Sequence, residues 1–300
     1  MRQGAAIVAA LALAALGVGG GSTGAQAATS GSPDAVVAKP DLVYRTVDGQ
    51  PLHIDAFLPA TRGPRRPAVL FVHGGGWIGG DKASIETEAR WAAQLGFVTF
   101  SVEYRLAPDH PYPAAVEDVR AAVRWLRARA QIARFHIDPK RIGALGASAG
   151  GHLVAMLATM GTGTPTTGSR VRVAVSWSGI TDMTRESATY SAVRGSPAIA
   201  GFLLCTYDQP GCAKKQRKAS PITYVDRTDA PMLLVNTEDE IVPPDQARVM
   251  AAALRAARVP NKLVVMPGDL HAQWYRDAQW PVAVAFLERY LGTPTAPKAA

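Results

Sequence analysis

Gly146-Ala147-Ser148-Ala149-Gly150 sets one hydroxyl between small residues. A serine hydroxyl is a weak nucleophile until a base takes its proton. It also needs a sharp turn that projects it and leaves room around it. A Gly-x-Ser-x-Gly run between a strand and a helix supplies that turn, and the helix start aims free N–H groups at the reacting atoms. A plain glycine-rich turn has the same letters, so the flanks decide. Residues 141–147 read as an apolar strand and 149–160 as a helix, which makes Ser148 the candidate nucleophile.

Attack on a carbonyl puts negative charge on its oxygen, and fixed backbone N–H groups stabilise that charge. His73-Gly74-Gly75-Gly76-Trp77 follows an apolar strand at 68–73. Glycines there let N–H groups turn inward, so Gly75 and Gly76 are candidate donors, with Ala149 N–H as a third. A phosphate loop would need Lys-Ser/Thr or an immediate helix; Trp77-Ile78-Gly79-Gly80 supplies neither. His73 is expected to hold this loop by hydrogen bonding.

Serine chemistry on a strand–turn–helix elbow runs in the chain order Ser, acid, His. Only His152 and His271 follow Ser148. His152 lies four residues on, inside the helix that leaves the turn, and is expected near the pocket floor. His271 follows a strand at 263–266 through Pro267-Gly268-Asp269-Leu270 and is the candidate base. The acid is open at this point. Glu238, Asp239 and Glu240 stand in a row after a strand at 232–236, Asp245 reads as a helix-start residue, and Asp269 is a competitor. Trp77 and Trp274, beside these motifs, are candidate pocket walls.

The elements that must position these groups alternate. Residues 42–47 and 52–58 flank Asp48-Gly49 as a hairpin. Strands are expected at 68–73, 97–102, 141–147, 171–177, 232–236 and 263–266. Helices are expected at 85–95, 114–130, 149–160, 245–257 and 280–291. Alternation of this kind predicts an α/β fold with a mainly parallel central sheet, helices on both faces and chemistry at the carboxyl ends of its strands. One domain is expected over 41–292, with residues 181–224 as a loop or small cap insertion and 293–300 as a flexible tail.

The 300 residues are 48% hydrophobic, enough for a sizeable core. The net charge is +8. Its basic residues are scattered apart from 62–66 and 214–218, without interleaved aromatics, which argues against a nucleic-acid partner. Arg2 and an apolar run at 5–18, too short to span a bilayer, read as a leader at 1–27 ending in Ala25-Gln26-Ala27. Its removal would leave +8 − 1 = +7, because Arg2 is the leader's one charge. Residues 28–40 are expected to be flexible. The predicted mature chain is secreted, with no stable membrane insertion. Cys205 and Cys212, separated by turn-forming residues, are expected to pair in an oxidising compartment; no His or further Cys nearby suggests a metal.

From 40 to 292 the chain resembles the α/β-hydrolase fold carboxylesterases, in particular secreted bacterial enzymes akin to feruloyl esterases and hormone-sensitive-lipase-like enzymes. The residues that carry this are His73–Trp77 with Gly80-Asp81-Lys82, Tyr104-Arg105-Leu106-Ala107-Pro108 with His110-Pro111, Gly146–Gly151, Ser178-Gly179-Ile180-Thr181-Asp182, Thr237-Glu238-Asp239 with Val242-Pro243, and Gly268 with His271. Ala147 stands where the lipase-like branch often has Asp, which favours the feruloyl-esterase-like branch. The resemblance implies Asp239 as the acid, with Val235 and Asn236 in place of that motif's His-Gly, and leaves Glu238 and Glu240 as solvated neighbours. It implies hydrolysis of a small-molecule carboxylic ester through an acyl-enzyme, with no cofactor. A peptidase of the same fold and a catalytically silent binding protein are the alternatives.

Overall fold

Apolar runs at the sequence's expected strands line up into one eight-stranded sheet. A computed structural model describes residues 35–61, 63–161, 163–184, 196–207 and 209–294. The expected leader, residues 28–34 and 295–300, and 185–195 of the expected cap lie outside these. Chain order runs β1 (Val36–Val47), β2 (Gln50–Pro59), β3 (Arg66–Val72), α1 (Glu86–Gln94), β4 (Val98–Val102), α2 (Ala114–Leu126), α3 (Arg129–Phe135), β5 (Ile137–Ala147), α4 (Ala149–Thr159) and β6 (Ala174–Trp177). It continues with α5 (Pro197–Leu203), α6 (Cys212–Lys218), β7 (Met232–Thr237), α7 (Asp245–Ala256), β8 (Asn261–Met266) and α8 (Arg276–Leu291). The sheet order is β1-β2-β4-β3-β5-β6-β7-β8. The β1–β2 and β2–β4 pairs are antiparallel; the rest are parallel. This is the α/β-hydrolase fold.

Both faces of the parallel strands are covered, so their sequences read as unbroken apolar runs. On one face Leu70, Val72, Met232 and Leu234 meet α2, α4 and α7 through Val119, Leu153 and Met250. On the other, Val69, Phe71, Leu233 and Val235 meet α1 and α8 through Ala92 and Phe286. Registers Val72↔Gly146, Gly146↔Ser176, Trp177↔Val235 and Val235↔Val264 bring the carboxyl ends of β3, β5, β6, β7 and β8 to one edge.

Several boundaries differ from expectation, among them β5 from Ile137, β8 from Asn261 and α8 from Arg276. Pairing of β1 with β2 starts at Val36↔Pro59, so residues 36–40, expected to be flexible, are strand. The helix expected over 114–130 breaks after Leu126, with Ala128 extended. There Arg127 turns inward and donates to the carbonyls of Pro139, Gly168 and Arg170. The strand expected at 171–177 begins at Ala174. In the expected cap, a disulfide joins Cys205, beyond α5, to Cys212, the first residue of α6. Among the described residues no helix is long and apolar enough to cross a membrane.

One buried charge ties the antiparallel edge to the parallel strands. Asp118 on α2 accepts from Arg45 Nη1 at 2.5 Å and from Arg105 Nε at 2.8 Å and backbone N at 3.0 Å. Its carboxylate is fully buried, whereas neighbouring Glu117 is half exposed. Asp118→Ala leaves two guanidinium groups without that partner and should lower stability by about 3 kcal/mol. Glu117→Ala should change it by less than about 0.5 kcal/mol. Chemical denaturation of the two variants checks the contrast.

Candidate active site

The turn from β5 into α4 is steric in origin. Ser148 has φ 55° and ψ −118°, a conformation L-residues avoid. It persists because the backbone closes tightly around it: a Cβ on Gly150 would run into the carbonyl oxygen of Val72. Ser148 N donates to Trp177 O at 2.7 Å, fixing the turn to β6. Ser148 Oγ lies 2.9 Å from Nε2 of His271, on the loop after β8. The hydroxyl is thus at hydrogen-bond distance from a candidate base.

The other ring nitrogen, Nδ1, meets Glu240 Oε2 in a short hydrogen bond. This corrects the expectation for Asp239. Asp239 is exposed, and its backbone N–H is held by Gly268 O at 3.0 Å. Glu240, expected to be a solvated neighbour, turns back under the sheet edge with its carboxylate fully buried. The extra methylene of glutamate gives the reach. Thr237 N and Ser178 Oγ, each at 2.9 Å, donate to Oε1. Three acids in a row after a strand narrow the choice, but only the path of the turn selects among them. Asp245 is the first residue of α7 and pairs with Arg248, and Asp269 is exposed.

The glycine loop after β3 presses against the nucleophile. A Cβ on Gly74 would stand 2.9 Å from Ala147 O and 3.2 Å from Ser148 Cβ. Gly75 O accepts from Ile78 N and Gly79 N, closing the loop. Gly76 and Ala149 line a cavity of about 240 Å³ beside Ser148, with Trp77, Ile180, Ala198, Ile199 and Val242 among its walls. His73 is buried, stacks on Tyr104 with ring centres 4.2 Å apart, and donates from Nδ1 to Gly74 O at 2.7 Å.

The two tryptophans part company. Trp77 is buried on the cavity wall, stacks on Phe202 of α5, and donates to His152 Nδ1 at 3.2 Å. His152 passes the link on, because its Nε2 donates to Ala219 O at 2.8 Å. Trp274, expected at the pocket, is 78% exposed and belongs to a separate surface depression with Ser84 and Asp277. The short turn Ala272–Tyr275 after His271 carries it outward. Ser178, which donates to Glu240, and Tyr275, which touches Ser178, were not expected at the site. Ser178 stood in a quoted motif, but no spacing pointed it at the acid.

A nucleophile elbow with a Ser–His–carboxylate row at the carboxyl edge of a mainly parallel sheet is the α/β-hydrolase arrangement, as the motifs implied. The chain belongs to the BD-FAE family, whose pattern matches residues 54–254. It is 31% identical to esterase LipQ of Mycobacterium tuberculosis over 205 residues, 65% of this chain and 47% of LipQ. It is 43% identical to carboxylesterase NlhH of the same species over 95 residues, 31% of this chain and 29% of NlhH. The chain therefore spans about half or less of these curated relatives. The thermophilic esterase Est2 of Thermogutta terrifontis superposes with a TM-score of 0.71 at 24% identity, covering 88% of this chain and 95% of Est2. That likeness shows the fold.

Two buried histidines give the site a pH dependence of stability. Burial lowers His73 and His152 from 6.5 to about 4 each. The unfolded chain takes up these protons as pH falls through 6.5, while the fold keeps both rings neutral until about 4. The stability they contribute is present above 6.5 and lost between 6.5 and about 4. Gln at 152 would keep a donor for Ala219 O yet take no proton. His152→Gln should therefore show a shallower fall of Tm with pH over that window. Equal slopes for wild type and variant would contradict the assignment.

Proposed function

We propose that this chain is a serine esterase acting on carboxylic esters with a small acyl or alcohol group. The observation that carries the proposal is the row Ser148 Oγ–His271 Nε2 at 2.9 Å, with Glu240 on Nδ1, opening onto the small cavity. His271 takes the Ser148 proton as Oγ attacks the ester carbonyl. Glu240 holds the ring tautomer and stabilises the imidazolium that forms. The Gly75, Gly76 and Ala149 N–H groups receive the oxyanion, as the packing of the glycine loop against Ser148 supports. His271 then gives its proton to the leaving alcohol. Water, deprotonated by the same ring, releases the acid from Ser148.

The cavity of about 240 Å³ is smaller than the roughly 300–1,000 Å³ of pockets for drug-sized ligands. Its apolar walls suit a short chain. The leader read at 1–27 and the Cys205–Cys212 disulfide support export as part of the same reading.

A fluorophosphonate probe should label the wild type and not Ser148→Ala; a folded wild type that stays unlabelled overturns the proposal. Glu240→Ala should lower kcat by roughly three to four orders of magnitude, whereas Asp239→Ala should stay within about twofold of wild type. Butyrate or shorter nitrophenyl esters should exceed octanoate in kcat/KM by about tenfold or more. Faster cleavage of aminoacyl amides than of esters would move the chain to the peptidases.

A further inference from the structure

Glu240 is a fully buried carboxylate with one oxygen on His271. What holds the other oxygen decides how the acid is aimed. Oε1 accepts from Thr237 N and from the Ser178 hydroxyl, both at 2.9 Å. The same Ser178 Oγ accepts from Ala272 N at 3.0 Å, and Ala272 directly follows His271. One oxygen atom at the end of β6 thus touches the acid and the loop that carries the base. Ser178 and Ala272 both have φ near 50°, an uncommon conformation for residues with a Cβ. Two such residues joined by one hydrogen bond mark a place where the surroundings impose the backbone.

Counting hydrogens orders the network. Tyr275 OH is 2.8 Å from Ser178 Oγ and 2.8 Å from Val235 O. Ser178 and Tyr275 have one hydroxyl hydrogen each. Val235 O can only accept, so the tyrosine hydrogen goes there. The single Ser178 hydrogen then has two acceptors within reach, Glu240 Oε1 and the tyrosine oxygen. A charged acceptor outbids a neutral one, so Ser178 donates to Glu240. Burial holds the Tyr275 hydroxyl well above its ordinary pKa, so it stays protonated on Val235 O.

We infer that Ser178 is a positioning residue that fixes the charge and aim of Glu240 and ties the His271 loop to it. The inference rests on the esterase reading for its role in turnover, not for the network itself. Other titratable groups on the elements meeting here face elsewhere. Glu238, Asp239 and Asp269 are exposed. Asp182 accepts from Thr184, Asp245 pairs with Arg248, and Arg276 turns to Glu88 and Asp277. The Ser178 hydrogen bond stabilises the state with Glu240 charged and His271 neutral. Removing it raises the pH at which the pair takes up its first proton, whichever member holds it.

The test compares Ser178→Ala with Tyr275→Phe, each normalised to fluorophosphonate-titrated sites. Ser178→Ala should lower kcat per titrated site about ten- to hundredfold and move the acid limb of kcat/KM up by about half a unit. Tyr275→Phe keeps the Ser178–Glu240 hydrogen bond and should leave the limb unmoved; a limb moved as far as in Ser178→Ala overturns the inference. A merely structural role would reduce the number of titrated sites and leave the pH profile of the rest unmoved; that result overturns the inference. If Ser178→Ala does not fold, Ser178→Cys, whose thiol is a weaker donor, decides by the direction of its limb. NMR titration of the His271 ring reads the same pKa without substrate. An unlabelled wild type would overturn the esterase reading, while an unmoved His271 titration would overturn this one.

Discussion

Ser148 sits on backbone that its own side chain disfavours, and the surrounding structure is what keeps it there. The strand must end, reverse and begin a helix within one residue. Gly150 lets α4 lie against the end of β3, and the Ser148–Trp177 hydrogen bond ties the turn to β6. The register of the parallel strands then matters as much as any side chain. Val72, Gly146, Ser176 and their neighbours end level, so loops from five strands arrive within reach of one hydroxyl. A slip between β7 and β8 would move Glu240 or His271 away while leaving most of the core apolar.

Around that edge, three buried polar groups find close partners. Glu240 has a ring nitrogen, a backbone N–H and a hydroxyl. His152 accepts from Trp77 and donates to Ala219 O. His73 donates to the loop it supports. Each pairing offsets the desolvation that burial imposes, and each fixes an orientation that water would leave free. The side chains around Ser148 are thus fixed in place by the fold itself, the condition that the proposed chemistry would need.

How much of this was legible in the sequence follows from what each residue depends on. The placement of Ser148, the glycine loop and His271 at one edge was readable because their constraints are local: small residues at a turn, a strand before, a helix or loop after. The sheet and most helices were readable from apolar runs and their spacing. Glu240 was not, because Glu238, Asp239 and Glu240 differ only in where the turn after β7 points them, and that path is set by Gly268 on a different strand's loop. Trp274 misled for a similar reason, since proximity to His271 in sequence says nothing of the turn that sends it outward. The break after Leu126 is made by carbonyls at Pro139, Gly168 and Arg170, distant in sequence from the helix they interrupt.

The cavity's walls come from two sources. Gly76, Trp77 and Ala149 belong to loops that also surround Ser148, whereas Ala198 and Ile199 sit on α5 between β6 and β7. That segment is fastened near its far end by the Cys205–Cys212 bridge and touches the sheet's machinery through Phe202 on Trp77. The two parts of the wall are therefore written on separable stretches of chain. An evolving lineage could exchange the α5 stretch and acquire a new palate while inheriting the elbow and its partners unaltered, and a protein engineer has the same division to exploit.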